Sequence, residues 1–343
     1  MGVRVKRLEA GDEARWDAFV QQAPEATFFH RSGWARVLRE AFGHATEHLY
    51  AERDGTVVGV LPLARIKSWL FSDALISTPF CVYGGAVAVD EQAHEALDQA
   101  AQERAQHLGV EYLEYRHRVP RHPDWPRQDT LYATFRKPLA ADEDANFQAI
   151  PRKQRRMVRQ GIKAGLEAAW ETDLGRFHDL YARSVHRLGT PVFSRRYFHL
   201  LAATFGDACR VLTVQHEGAP VAGVLTFCFR EEVLPYYGGG LPLAREVAGY
   251  DFLYWELMRR GCQEGYRLFD FGRSKQGTGA YHFKRNWGFE PQPLAYEYRL
   301  YKRSTVPEHN PLNPRYRQAI RIWQRLPLAL ANRLGPLVVR KLG

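Results

Sequence analysis

Residues 267–298 read RLFDFGRSKQGTGAYHFKRNWGFEPQPLAYEY, and this stretch decides the fold. Leu268 to Phe271 has the pattern of a buried strand, Gly272, Gly277 and Gly279 mark a turn, and a basic-aromatic segment holding Lys284 follows. A second strand from Pro293 to Leu300 is expected to close the unit. Glycines let a backbone approach a ligand, and the turn gathers Asp270, Arg273, Lys275, Tyr281, His282 and Lys284. Polar groups at the carboxyl end of an apolar strand are where α/β enzymes build sites; a surface hairpin is the plainer alternative.

The region is the end of the second copy of a duplication. LYAERDGTVVGV (49–60) matches LTVQHEGAPVAGV (212–224), an apolar strand, a turn at Gly55 or Gly218, and another apolar strand. Tyr83-Gly84-Gly85 recurs as Tyr237-Gly238-Gly239, 154 residues on. Each copy then has a helical stretch, Glu91 to Leu108 and Tyr250 to Glu264, ending at Gly109 or Gly265. Each next enters a strand with a central carboxylate, Glu114 or Asp270. The first copy carries extra residues, Arg65 to Ala74, before its Tyr-Gly-Gly. So long a period means duplicated domains, since solenoid repeats run about 20–50 residues. The expected architecture is α/β: a domain over 1–140, a second over 141–305, and a tail over 306–343, with Asp142 or Asp144 capping a helix after the junction.

Phe269-Asp270-Phe271-Gly272, the glycine-rich turn, Tyr281-His282-Phe283-Lys284 and Trp287-Gly288-Phe289 together resemble the C-terminal block of the FemAB/FemX transferases. Phe28-Phe29-His30-Arg31 with Trp34, Leu61-Pro62-Leu63 and the run Tyr250 to Met258 extend the likeness over most of the chain, and it is most similar to an exosortase/PEP-CTERM-associated branch. The resemblance implies two tandem GNAT-like acyltransferase domains. It further implies acyl or aminoacyl transfer to an amino group of a cell-envelope precursor, of peptidoglycan or exopolysaccharide. On this reading Lys284 steadies the tetrahedral intermediate or contacts the donor, and Asp270, with Tyr281 as alternative, positions the amine or takes its proton. Arg273 and Lys275 bind phosphate or carboxylate, and Tyr237, Glu114, Arg116, Arg152, Arg155 and Arg156 are further substrate contacts.

No tightly bound cofactor is expected. The acyl donor is a co-substrate, aminoacyl-tRNA or acyl-CoA. GNAT enzymes cradle the pyrophosphate of coenzyme A in a Q/R-x-x-G-x-G/A turn; here Arg245 to Gly249 is one residue too long, and Tyr250 replaces a small residue. That degeneracy favours a donor other than coenzyme A.

The net charge of +10 is concentrated in two segments. Residues 151–166 carry Arg152, Lys153, Arg155, Arg156, Arg159 and Lys163 with no acid, which suits phosphate contact or a solvated helix face. The tail has six arginines and one lysine against Glu308. Its Ile320, Trp323 and Leu326 share one helical face, which fits either an anionic membrane surface or a helix packed on the domains. No apolar run is long enough to span a bilayer, and no secretory leader is read at the amino terminus. Cys81, Cys209, Cys228 and Cys262 lack metal spacing and read as buried thiols of a reducing compartment. No HExxH, GxSxG, Walker or Rossmann pattern is present, so metal, nucleophilic and dinucleotide chemistries find no motif. The expectation is a monomeric, cytoplasmic acyltransferase, peripheral at the inner face of the cytoplasmic membrane. A non-catalytic partner of an envelope assembly is the rival.

Overall fold

Two hairpins with the same turn chemistry organise the two halves of the computed structural model, which describes residues 2–68, 72–307 and 314–341. The first half holds β1 (Arg4–Arg7), α1 (Glu13–Gln22), α2 (Gly33–Phe42), β2 (Ala45–Thr46), β3 (Leu49–Arg53), β4 (Thr56–Leu61), β5 (Leu63–Ser68) and β6 (Ser72–Ser77). After these come β7 (Val87–Ala88), α3 (Glu91–Leu108), β8 (Tyr112–Tyr115) and β9 (Arg127–Pro138). The second half holds α4 (Glu143–Gln148), α5 (Arg152–Lys163), β10 (Glu167–Glu171), α6 (Leu174–Arg187), α7 (Arg195–Phe205), β11 (Cys209–His216), β12 (Ala219–Phe229) and β13 (Glu232–Gly240). It continues with α8 (Leu243–Glu246), α9 (Gly249–Gln263), β14 (Leu268–Asp270), β15 (Ser274–Lys275), α10 (Gly279–Asn286) and β16 (Pro291–Leu300). The tail forms α11 (Pro314–Arg325) and α12 (Leu328–Val339).

The duplication is visible at single-residue detail. Asp54-Gly55 and Glu217-Gly218 both have positive φ at the two turn positions, the geometry that matches a hairpin to the strand twist. Each hairpin also shifts register at the equivalent place, between Ala51 and Glu52 in one and between Val214 and Gln215 in the other. α3 and α9 then run to glycines, Gly109 and Gly265, in left-handed backbone. The likeness lapses at the Tyr-Gly-Gly: Tyr237 to Gly239 lie within β13, whereas Tyr83 to Gly85 lie in irregular backbone with φ of 97° at Gly85.

The compact units do not follow chain order. The first is Met1–Leu131 with Pro293–His309 and Arg340–Gly343, and the second is Tyr132–Gln292 with Asn310–Val339. This division places 132–140 in the second unit and 293–305 in the first, the reverse of the sequence reading. β16 pairs antiparallel with β8, Glu297 opposite Tyr115, so the strand expected to close the second unit serves the first. The basic-aromatic segment before it is helix α10, capped by Thr278, whose side chain accepts from Tyr281 N. Each unit has its own core: Leu49, Leu61, Leu75, Leu97 and Leu113 in the first, Leu212, Val224, Leu253, Phe269 and Trp287 in the second. Asp142 caps α4, accepting from Ala145 N at 2.7 Å.

Gly85 is a point where only glycine fits. A Cβ there would stand 2.3 Å from the His117 ring, in backbone that side chains rarely adopt. Gly85→Ala is expected to lower stability by about 3 kcal/mol, read as a shifted midpoint in urea unfolding. An unchanged midpoint would contradict this packing.

Candidate functional site

In the second unit β13 and β14 run parallel but pair only at Glu232–Leu268 and Val233–Phe269. β14 stops at Asp270 while β13 continues to Gly240, so the strands part and leave a gap beside the carboxyl end of β14. Leu241 N donates to Val221 O at 2.8 Å, and the alternation of an antiparallel ladder therefore turns Gly240 and Gly238 away from β12. Gly240 O fits this, accepting from Arg187 Nη2 at 2.9 Å. Gly238 is exposed, and its backbone N–H and C=O face the gap.

α9 lines the space. The Tyr254 ring lies 4.8 Å from Phe271 and 5.5 Å from Phe283. Its hydroxyl stands 3.1 Å from where a Gly238 Cβ would be, so a side chain at 238 would meet it. On the far side of β13 the expected substrate contact Tyr237 is buried, its hydroxyl 2.8 Å from that of Tyr197, among Tyr181, Phe193 and Phe198.

Lys284 and Asp270 fix the turn after β14. The Lys284 ammonium donates to the carbonyls of Phe271 (2.7 Å), Gly272 (3.0 Å) and Arg273 (3.2 Å). Burial pulls this amine down to about 7 against the opposing pull of Asp270, but three acceptors match the three N–H groups of the protonated form. Asp270 is fully enclosed. It accepts from Gly272 N at 2.7 Å, Thr134 Oγ1 at 3.4 Å and Arg136 Nε at 3.1 Å, and Arg136 also pairs with Glu232. Arg273 and Lys275 lie over the Tyr132 ring, half-buried. Burial, then the neighbouring Arg273, pushes Lys275 down to about 8. Tyr281 is half-buried with its ring edge-on to Phe135.

The other expected contacts lie apart from this turn or are committed elsewhere. Arg152 and Arg156 are exposed on α5, whereas Arg155 donates to the backbone and side chain of Gln148. Arg245 is exposed on the short α8, and Gly249 opens α9 against Ala244. In the first unit Glu114 and Arg116 are both buried and pair with each other at 2.7 Å, and Arg116 also donates to Cys81 O.

The sequence reading missed two α9 residues. Asp251, in the first turn, accepts from Trp287 Nε1 at 3.0 Å, and burial pushes its carboxyl up to about 6. Tyr254 is the other. Both lie in the run Tyr250 to Met258, where the apolar spacing of a core helix concealed them.

Residues 148–285 match the model of the acetyltransferase (GNAT) domain family. Among solved structures the fold is similar to FemX, at 15% identity and a TM-score of 0.68, covering 87% of this chain and 98% of that one. It is similar to L-PGS from Bacillus licheniformis, at 12% identity and a TM-score of 0.55, covering 93% and 99%. A tandem GNAT protein from the clavulanic acid biosynthesis pathway matches at 16% identity and a TM-score of 0.52, covering 87% and 98%. No curated protein sequence matches the chain. The fold is thus a tandem GNAT-like α/β fold, and the chain is an acyltransferase.

Within the first unit His117, His122 and Glu297 bring possible metal ligands within 4.8 Å of one another. Their hydrogen bonds argue for an ionic network instead. Ala86 N donates to His117 Nε2 at 3.0 Å, which places the ring proton on Nδ1, and Nδ1 donates to Glu297 at 2.9 Å. His122 sits between Asp98 (3.2 Å) and Glu297 (3.4 Å) and stacks on Trp125. Burial pulls His122 down, but the two carboxylates outweigh it and hold the imidazolium up to about 9. Its stabilisation is therefore fully present below the unfolded value near 6.5 and lost as pH rises through about 9. His122→Gln is expected to remove about 1–3 kcal/mol at pH 6 and to flatten the decline of stability between pH 6.5 and 9. Parallel stability profiles of the two proteins over that range would refute this reading.

Proposed function

We propose that the second unit transfers an acyl group, by preference an aminoacyl group, to an amino group of a cell-envelope precursor. The observation that carries this reading is the parting of β13 and β14, with Gly238 facing the gap and a turn of cations beside it. Acyl transfer to an amine needs an electrophilic carbonyl held still, a donor for its oxyanion, and an acceptor for the amine proton. The amine nitrogen bonds to the carbonyl carbon, the oxyanion forms and collapses, and the donor's heteroatom leaves with a proton. Gly238 N–H serves as the oxyanion donor. Lys275, already lowered to about 8, and Tyr281 are the half-exposed groups that hold the amine proton. Arg273 binds the acceptor's phosphate or carboxylate. Lys284 and Asp270 act by shaping the turn, because their polar atoms are committed to it.

FemX and L-PGS, the names carried by two of the similar structures, support an envelope acceptor. Aminoacyl-tRNA is favoured as donor by Asp251 in the first turn of α9, where a carboxylate opposes a diphosphate, and by the exposed cations Arg152, Lys153 and Arg156 of α5. Acyl-CoA is the second reading, favoured by the GNAT family match.

Titration with charged tRNA and with acyl-CoA at two salt concentrations separates the donors: tRNA binding is expected to weaken steeply with salt. With the productive donor, Gly238→Ala is expected to lower kcat about a hundredfold, because its Cβ would enter the gap beside the Tyr254 hydroxyl and displace the acyl carbonyl from the N–H. Lys284→Met is expected to lower it as far and to cost about 1–3 kcal/mol of stability by orphaning three carbonyls. Wild-type turnover by both variants, or transfer from neither donor, would refute the assignment and leave a binding module.

A further inference from the structure

We infer that the outer face of the two tail helices docks on an anionic lipid bilayer. The inner face is accounted for. Ile320 packs at Gly189, where a Cβ would come within 2.5 Å of it, and Gln324 Nε2 donates to Arg187 O at 2.9 Å. Gly335 lies so close to Val192 that a Cβ would fall 2.8 Å from its backbone nitrogen. Ala331, Gly335 and Val339 form the buried stripe of α12. Ile320, Trp323 and Leu326, the face read from sequence as either membrane-facing or packed on the domains, are half-buried.

A different apolar set faces solvent. Ile322 is 56% exposed, Leu330 42%, Leu334 37% and Leu337 50%. Leu330, Leu334 and Leu337 are spaced i, i+4, i+7, one continuous stripe on α12, turned away from the buried one. A soluble helix normally shows polar side chains there, so this stripe calls for an apolar partner. Arg321 and Arg325 lie exposed beside Ile322, and Arg333 beside the leucines, with no acid on either helix. Apolar side chains flanked by arginines match the boundary between acyl chains and anionic headgroups. A second copy of this chain fits poorly, because a two-fold pairing would set one arginine-bearing face against another with no acid on either helix.

No helix among the described residues is long and apolar enough to cross a membrane, so attachment by this face is shallow and reversible. It would bring the enzyme to an acceptor held at a membrane and, to that extent, rests on the proposed envelope acceptor; lipid binding itself is measured without turnover.

The experiment is co-sedimentation of the full chain with vesicles of phosphatidylglycerol and phosphatidylcholine, against phosphatidylcholine alone, at low and high salt. Binding is expected only to the anionic vesicles and is expected to fall with salt. Each of Arg321→Gln, Arg325→Gln and Arg333→Gln is expected to weaken it roughly fivefold. The triple change of Leu330, Leu334 and Leu337 to Gln is expected to abolish it while the far-ultraviolet dichroism and melting midpoint stay as in the wild type. Equal binding by the triple variant, equal binding to both vesicle types, or concentration-dependent dimerisation abolished by the triple change would each overturn the proposal. Transfer to a soluble acceptor is expected to survive the triple change, which separates failure of docking from failure of the catalytic reading.

Discussion

The three hydrogen bonds from Lys284 to consecutive carbonyls are the constraint on which the second unit's site depends. Carbonyls that turn inward at a strand end would be left without donors, and one buried ammonium satisfies all three. Asp270 completes the device from the other side by accepting the Gly272 N–H while Arg136 balances its charge. With the turn held at both ends, Arg273 and Lys275 project over Tyr132, and α10 begins at a capped Thr278. Buried charges are costly unless paired and hydrogen-bonded, and here each one has partners.

The two copies of the duplication have diverged where charge is concerned. In the second unit the carboxylate Asp270 holds a turn beside a gap. In the first, Glu114 is neutralised by Arg116 two residues away, and the Tyr296 ring of β16 lies over the Arg116 guanidinium while its hydroxyl donates to Val82 O. A second charged cluster of the first unit, Asp98–His122–Glu297, ties α3, the loop after β8 and β16 together. β16 follows the second copy in sequence, yet its Glu297 is the centre of the first unit's polar core.

The tail shows why an amphipathic pattern alone does not assign a face. α11 and α12 have apolar residues on two sides. One side packs at Gly189 and Val192, where glycines allow close approach, and the other is left in solvent beside arginines. Periodicity identifies a helix, but only the packing tells which stripe is the inner one.

Local signals determined much of this protein. The hairpin turns at Asp54-Gly55 and Glu217-Gly218, the ends of α3 and α9, the capping Asp142 and the duplication were legible, because turn chemistry, capping and hydrophobic period act over a few residues. The glycine-rich turn after Asp270 was legible as the candidate site for the same reason. Tertiary structure alone decided the return of β16 to the first unit, since strand partners are chosen by contacts far apart in the chain. It also decided which polar residues are enclosed: Lys284 and Asp270 look alike in sequence with Lys275 and Arg273, yet the first two are buried with their polar atoms bonded at the turn and the last two are half-buried. Asp251 and Tyr254 were hidden for the converse reason. They sit in a core-like helical run, and only the packing of α9 seats Asp251 on Trp287 and brings Tyr254 beside Gly238.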